Sequence, residues 1–186
     1  MQFEEAAVWL SGVLPGTVHL SPDKAGNRPA FHVAETRTDD GAALSCTVDF
    51  HRIDTGVSFR DYSVRSELMC VTTADQGLAS QLVRATGRHL AQLQGLIPAQ
   101  PGSFVQKLGD VAKLPAEVTT RDALLTGPVL WDGQTPQYLE PTQLTLLLQV
   151  ILLTRDELNF GKTYGAQALL QQMDKEEVDY RNWYRR

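Results

Sequence analysis

The sequence predicts an α+β fold, in which a mixed or antiparallel sheet carries helices packed on it in a single compact domain. Three observations support this prediction. Residues 42–52 alternate between apolar and polar side chains, as a half-buried strand does. Residues 75–96 place apolar side chains at helical spacing. Residues 142–153 are apolar at both even and odd positions, which is typical of a central strand that is covered on both faces.

The composition is that of a globular protein with an acidic balance. Hydrophobic residues make up 42% of the 186 residues and charged residues 21%, which argues against disordered, collagen-like and coiled-coil classes. Acidic residues number 22 and basic residues 17, so the formal net charge is −5. General nucleic-acid binding needs a positive surface, and we therefore expect no nucleic-acid partner.

The chain is expected to be cytoplasmic. Its first residues are acidic, with no basic segment before an apolar stretch, so no secretory signal is expected. The longest uncharged apolar stretch, residues 141–154, would span about 20 Å as a helix, which is too short for the ~30 Å membrane core. Cys46 and Cys70 are too few for a disulfide framework or a typical zinc site, and they fit a reducing compartment.

The N-terminal half is predicted to contain a short helix followed by extended segments. The helix covers residues 4–10 and is ended by the glycines and prolines that follow. Extended segments are predicted at residues 18–20, 30–36, 42–52 and 57–71, with a turn-rich loop over residues 21–29.

Asp54-Thr55-Gly56 predicts a hairpin between residues 42–52 and 57–71. A pivot near Thr55 gives the register, with a bulge near residues 60–61. The resulting pairs are Phe50 with Arg60, Val48 with Tyr62, Cys46 with Val64, and Leu44 with Ser66. Cys46 and Cys70 do not face each other in this register, which argues against a disulfide.

The C-terminal half is predicted to alternate helix, strand and helix. The helix over residues 75–96 is stopped by Pro98, and a loop follows over residues 97–109. A short strand is predicted over residues 124–131, confined to a sheet edge by Pro128, with a turn at residues 132–133. Residues 142–153 form the central strand, with a buried helix as the rival interpretation. Thr154 and Glu157 then form a capping box that starts a helix reaching about Met173.

No motif for catalysis or metal binding occurs in the sequence. The zinc-protease, nucleophile-elbow, phosphate-loop and dinucleotide-binding signatures are all missing. Cys46 lies on the same strand face as the apolar Leu44 and Val48, and it is predicted to be a small buried hydrophobic residue. We therefore predict no catalytic residue, no metal and no cofactor, and we expect the four histidines to be surface or packed residues.

Charged residues gather near the predicted hairpin. Asp49, Asp54 and Asp61 lie near its ends, and Arg65 and Glu67 share one face of the return strand, where they could form an ion pair that organises a surface. The predicted partner-binding residues are Arg65, Glu67, Asp49 and Asp61.

Two stretches together resemble the suppressor-of-fused domain family. The first is Arg65-Ser66-Glu67-Leu68-Met69, followed by a helix and the Pro101-Gly102 loop; it resembles the family's R-x-E-L strand, helix and proline-glycine turn. The second runs from the strand of residues 146–153 into Thr154-Arg155-Asp156-Glu157-Leu158 and ends at Gly165-Ala166-Gln167-Ala168-Leu169-Leu170. The match covers residues 65–173. It departs from the family at Leu152, where proline is frequent, and before Arg65, where the usual Thr-x-Gly strand is not evident.

The resemblance implies one suppressor-of-fused-like domain over residues 1–186, with no known catalytic residues. Eukaryotic members of the family bind partner peptides, in part by strand addition, and some bacterial members are regarded as immunity proteins that neutralise a cognate toxin. We therefore expect a non-catalytic protein-binding module whose partner is another protein, a toxin or effector. Open sheet edges and an acidic exterior agree with this expectation.

Two alternative functions remain open at this point. One is an acidic chaperone for a secreted effector, which the small size and low pI would suit. The other is a small hydrolase with an unrecognised Asp/His site, for example His51 with Asp49 or Asp61.

Overall fold

The structure, a computed structural model, describes residues 1–23, 30–131 and 134–186. In these ranges nine strands form one sheet, and five α-helices pack on it. The predicted α+β fold class is therefore confirmed. The predicted turn at residues 132–133, and most of the predicted loop over residues 21–29, lie outside the described residues.

The helices and strands follow the chain in this order. The helices are α1 (Phe3–Val13), α2 (Gln76–Leu93), α3 (Leu108–Val111), α4 (Arg155–Tyr164) and α5 (Ala166–Lys175). The strands are β1 (His19–Ser21), β2 (Val33–Arg37), β3 (Ala43–Thr47), β4 (Ser58–Phe59), β5 (Tyr62–Thr72), β6 (Phe104–Val105), β7 (Asp122–Thr126), β8 (Gln137–Leu139) and β9 (Gln143–Leu153). A short 3₁₀ turn, Phe50–Arg52, follows β3.

The sheet is mixed, with its two longest strands at the centre. The strand order is β1-β2-β3-β5-β9-β7-β6, while β4 pairs with β5 and β8 pairs with β9. β5 and β9 run parallel, with Ser63 opposite Gln143 and Met69 opposite Gln149, and the other described pairs are antiparallel. Parallel neighbours need a long crossover, which the chain between β5 and β9 supplies.

The central strand β9 is covered on both faces, as predicted. Leu148, Val150 and Leu152 belong to the core cluster that contains residues of α2 and α3. On the opposite face Leu147 joins the cluster around α1, and Ile151 joins the cluster around α4 and α5. A strand with helices on both faces has no polar face, and this explains its continuous apolar sequence.

N-cap side chains define where α2 and α4 begin. The Asp75 side chain caps α2 by accepting from the backbone N–H of Gly77 at 2.7 Å. At α4 the Thr154 hydroxyl accepts from the Glu157 N–H at 3.2 Å, and the Glu157 carboxylate accepts from the Thr154 N–H at 2.7 Å. The helix predicted to reach Met173 is two helices instead, because Gly165, at φ +93°, separates α4 from α5.

The predicted hairpin register is wrong. Leu44 lies opposite Val71 and Cys46 opposite Met69, five positions beyond the predicted partners. The reason is that the strand predicted over residues 42–52 ends at Thr47, and the 3₁₀ turn and β4 then lengthen the connection to β5. Cys46 and Cys70 are both free and buried.

The predicted edge position of the strand near Pro128 is also wrong. The strand is β7, which ends at Thr126 and lies between β9 and β6. Because Pro128 follows the strand, its missing N–H does not interrupt a ladder, and both sides of β7 can be paired. The segment predicted as a loop over residues 97–109 contains β6, formed by its apolar centre.

No helix in the described ranges is both long enough and apolar enough to cross a membrane.

Candidate partner-binding surface

The carboxylate of Glu67 lies in the interior and organises the turn after β3. Glu67 has no exposed surface, and both carboxylate oxygens accept hydrogen bonds. Oε2 accepts from the Thr47 hydroxyl at 2.5 Å and the Phe50 N–H at 3.1 Å, and Oε1 accepts from the His51 N–H at 3.1 Å. A buried carboxylate persists only when its oxygens are satisfied in this way. Glu67 therefore fixes the 3₁₀ turn against β5.

The His51 side chain is paired with Glu67, which favours the protonated imidazole. Its Nδ1 lies 2.6 Å from Glu67 Oε1, and its Nε2 lies 3.0 Å from the backbone oxygen of Met1. Both ring nitrogens face acceptors, and only the protonated imidazole can donate to both of them. Burial lowers the pKa of His51, but the hydrogen bond and the negative charge of Glu67 outweigh burial, and the pKa lies above its ordinary value.

A second buried carboxylate, Asp49, holds the start of β2. Its Oδ1 accepts from the His32 N–H at 3.1 Å. Its Oδ2 lies 2.9 Å from His32 Nδ1 and accepts from the Arg52 guanidinium at 3.1 Å. Asp49 is 1% exposed, so a partner could touch it only through the more exposed His32 and Arg52 side chains that it positions.

Arg65 pairs with a loop carboxylate and not with Glu67. Its Nη1 lies 2.5 Å from Asp54 Oδ1, so the expected Arg65–Glu67 ion pair is wrong. Glu67 is already surrounded by Thr47 and the turn after β3, and Arg65 reaches outward instead. The paired Arg65 guanidinium, together with a hydrogen bond from the Gly56 N–H, holds the pKa of Asp54 below its ordinary value.

Asp61 lies at the exposed turn between β4 and β5. Its neighbour Arg60 adopts φ +53°, and the Arg60 guanidinium lies 5.2 Å from the ring centre of Phe59, which is itself 56% exposed. Of the four predicted residues, Asp61 is freely accessible, Arg65 is partly exposed, and Asp49 and Glu67 are buried. Their role in partner binding stays a prediction.

The sheet also presents two lateral edges, β1 and β6. β1 is hydrogen-bonded to β2 on one side, and no other described strand lies along its second side. Leu20 on this edge is 49% exposed. An open strand edge can bind an extended peptide through its free backbone groups.

The histidine–carboxylate pairs differ from those proposed for a hydrolase. His51 binds Glu67, and neither Asp49 nor Asp61 is its partner; Asp49 binds His32. Within residues 1–23, 30–131 and 134–186, no group of three His, Cys, Asp or Glu residues is placed to hold a metal ion. Both pairs direct their hydrogen bonds to the protein's own backbone and side chains, which is the arrangement of a structural network.

Sequence reasoning missed the roles of His32 and His51, which were expected to be surface or packed residues. Each binds a buried carboxylate. The position of Glu67 in the sequence does indicate a buried interaction. A carboxylate inside the apolar stretch of β5 requires a hydrogen-bond donor from elsewhere in the chain. The sequence does not reveal which donor, because the pairing depends on the 3₁₀ turn.

Sequence comparisons give no relative for this chain. No protein-family model matches it, and no curated protein does.

Solved structures, in contrast, match most of the chain. One is a crystal structure reported as a SUFU (suppressor of fused protein) homolog from Neisseria gonorrhoeae FA 1090; the match has a TM-score of 0.73 at 13% identity and covers 98% of this chain and 94% of that one. Another is the Sufu–Fu complex, with a TM-score of 0.72 at 12% identity, covering 99% and 90%. Drosophila Suppressor of Fused matches with a TM-score of 0.55 at 13% identity, over 96% of this chain and 44% of its own.

The structural matches extend well beyond residues 65–173, where the sequence resemblance was found. At this level of identity they establish the fold. This chain therefore has the fold of the suppressor-of-fused structures that it matches.

Proposed function

We propose that this chain is a protein-binding module without catalytic activity of its own. The observation that carries the proposal is the fold shared with the Sufu–Fu complex, a structure in which a chain of this fold is crystallised with a protein partner. The match covers 99% of this chain. In this proposal residues 1–186 act as one binding unit.

The state of the buried carboxylates supports binding over chemistry. Glu67 and Asp49 are almost completely inaccessible, and their oxygens are bonded to the turn after β3 and to the start of β2. Glu67 has two hydrogen-bond partners on each carboxylate oxygen, and Asp49 is buried behind its own partners, so neither group is exposed to a substrate. They instead make the end of the sheet rigid, and a rigid surface loses less conformational entropy when it binds.

We place one partner contact at this end of the sheet. Asp61 provides an exposed carboxylate at the turn, and Arg65, through its pair with Asp54, holds the loop that precedes β4. Glu67 and Asp49 take part indirectly by fixing the turn beneath. The open edge of β1 offers a second contact, to which a partner can add a strand.

The partner class that we propose is a cognate toxin, which makes this chain an immunity-type protein acting in the cytoplasm. The supporting feature is the acidic balance of 22 acidic against 17 basic residues. An acidic inhibitor attracts a basic enzyme electrostatically, which raises the association rate.

Co-expression with the product of the neighbouring gene tests this proposal. If that product is a toxin, its expression alone should stop growth of a heterologous host, and this chain should restore growth and co-purify with it at low salt. A chaperone of a secreted effector would instead co-purify with an effector that is harmless inside the cell. Failure of every neighbouring product to co-purify would contradict the toxin assignment, and recovery of no protein partner at all in a low-salt pull-down across several growth states would contradict protein binding.

A further inference from the structure

An apolar slot opens between α5 and the face of the sheet that carries α4 and α5. We call it the α5 slot. Its apolar lining comprises Ile151, Leu170, Met173, Val178 and the half-exposed Val129, which we call its lip, and Thr126 and Tyr180 also line it. It encloses about 320 Å³, at the lower end of the ~300–1,000 Å³ range of ligand pockets. A space of this size suits one or two side chains better than a large cofactor.

Two carboxylates line the rim of the α5 slot. Asp174 and Glu177 are exposed, and neither has an ion-pair partner among the described residues. The neighbouring carboxylate of Asp179, by contrast, is bound to Arg181 at 3.1 Å. The slot thus combines an apolar interior with unpaired carboxylates at its entrance. This combination favours a ligand in which an apolar group lies next to a cation.

Glu177 occupies its position at a conformational cost. It adopts φ +52° in the turn that ends α5, where the Val178 N–H bonds to the Met173 oxygen at 2.9 Å and the Glu177 N–H bonds to the Asp174 oxygen at 3.0 Å. This is the Schellman pattern, whose left-handed position is usually glycine. Glycine would therefore be the more favourable residue for folding at this position.

The lip of the α5 slot extends its apolar surface outward. Val129 is 50% exposed and Leu130 37% exposed, and the Val129 N–H is held at 3.1 Å by the side-chain oxygen of the buried Gln149. The lip is therefore positioned by the sheet itself. A segment of another protein that fills the slot would also contact this apolar surface outside it. A small ligand would be too short to reach it.

We infer that the α5 slot receives an apolar side chain of a protein partner, with an adjacent Lys or Arg of that partner against Asp174 and Glu177. This inference rests on the proposed function and specifies the partner's chemistry. We infer this occupant from charge complementarity. Carboxylates at the rim repel a peptide segment whose apolar side chain is flanked by acidic residues, and they attract one whose apolar side chain is flanked by basic residues.

Three short peptides test the inference by methyl and amide NMR on the full chain. The probe is acetyl-Gly-Leu-Lys-Lys-amide, and the controls are acetyl-Gly-Leu-Glu-Glu-amide and acetyl-Gly-Ser-Lys-Lys-amide. The probe should shift the signals of Val129, Ile151 and Val178 saturably, while each control, lacking one of the two features, should not. Equal shifts with all three peptides, shifts spread over the whole surface, or no shifts up to the solubility limit would overturn the inference.

A pair of neighbouring glutamates provides matched variants. Glu177→Gln should weaken binding of the probe about two- to fivefold, as loss of an exposed ion pair does, whereas Glu176→Gln, whose side chain lies outside the slot and bonds to Gln172, should not. Glu177→Gly should weaken binding equally without lowering the melting temperature, because glycine suits the turn. Equal effects of the Glu177 and Glu176 variants would contradict the inference.

The partner experiment separates the two proposals. A toxin that co-purifies as strongly with Glu177→Gln and Glu177→Gly as with the unchanged chain would leave the proposed function standing and overturn the slot. If no protein partner co-purifies while the probe peptide still binds, the proposed function fails and the preference of the slot for apolar-basic segments stands.

Discussion

The Nδ1 of His51 lies 2.6 Å from the Glu67 carboxylate in the interior, with 4% of the imidazole and none of the carboxylate accessible to water. The same carboxylate bonds to two backbone N–H groups of the 3₁₀ turn. One acidic residue of β5 therefore sets both the path of the chain after β3 and the ionisation of a histidine.

Removal of the Glu67 charge should strongly destabilise the fold. Glu67→Gln leaves the His51 imidazolium without its counter-ion, and breaking a buried pair by changing one partner costs about 3–5 kcal/mol. Chemical denaturation measures the free energy of unfolding, and Asp61→Asn, an exposed change of the same kind, should stay within about 0.5 kcal/mol of the unchanged chain. Similar small losses for both variants would refute the structural role of Glu67.

The two histidines His51 and His89 should titrate in opposite directions from the ordinary histidine pKa. The pKa of His51 is raised because Glu67 outweighs burial, and the pKa of His89 is lowered by burial. An NMR titration, with signals assigned from His→Gln variants, should place His51 above about 6.5 and His89 below it. The reverse order would be inconsistent with a charged His51–Glu67 pair.

The raised pKa of His51 also gives the direction of a stability change with pH. Folding stabilises the protonated imidazole, so this contribution is fully present below the unfolded pKa of about 6.5 and is lost as pH rises through the folded pKa. Between pH 6 and pH 9 the unfolding free energy should fall more for the unchanged chain than for His51→Gln. A parallel course for both proteins would contradict this assignment.

Both thiols should be unreactive in the folded protein. Cys46 and Cys70 are fully buried, and burial raises the pKa of each, with the Glu67 charge adding to the effect at Cys46. The thiolate is the reactive form, so a thiol reagent such as Ellman's reagent should label neither cysteine in buffer and both in denaturant. Rapid labelling of the native chain would show that one of them is accessible.

Two glycines in helices should respond oppositely to alanine. A Cβ at Gly161 of α4 would lie 2.7 Å from the ring of Phe104 and 3.0 Å from Leu169, so Gly161→Ala should cost about 1–3 kcal/mol. A Cβ at Gly12 of α1 meets nothing within 4 Å, and Gly12→Ala should stabilise the fold by about 0.5 kcal/mol. Thermal unfolding checks both, and a stabilising Gly161→Ala would contradict the close approach of α4 to β6.

Features that depend on neighbouring residues were predictable from the sequence. The spacing that predicted a helix over residues 75–96 corresponds to α2, the two-sided apolar pattern corresponds to β9, and the Thr154–Glu157 capping box is present. The capping box depends on contacts between residues three positions apart. The helix and the strand are indicated by the spacing of their apolar residues.

Features that depend on distant residues were not predictable. The alternation at residues 44–50 indicated a strand beyond Thr47, but the Glu67 carboxylate, 17 residues past Phe50, holds that segment in a 3₁₀ turn. The parallel pairing of β5 with β9 joins segments 80 residues apart and leaves no local trace. The α5 slot combines residues of β9, α5 and the segments after β7 and α5, so no single stretch of sequence indicated it.

Native mass spectrometry of the purified chain with its candidate toxin tests the central claim most directly. A module that binds and does not react predicts one complex whose mass is the sum of the two unchanged chains. A toxin cleaved or modified in the presence of this chain, or the absence of any complex at low salt, would contradict the claim.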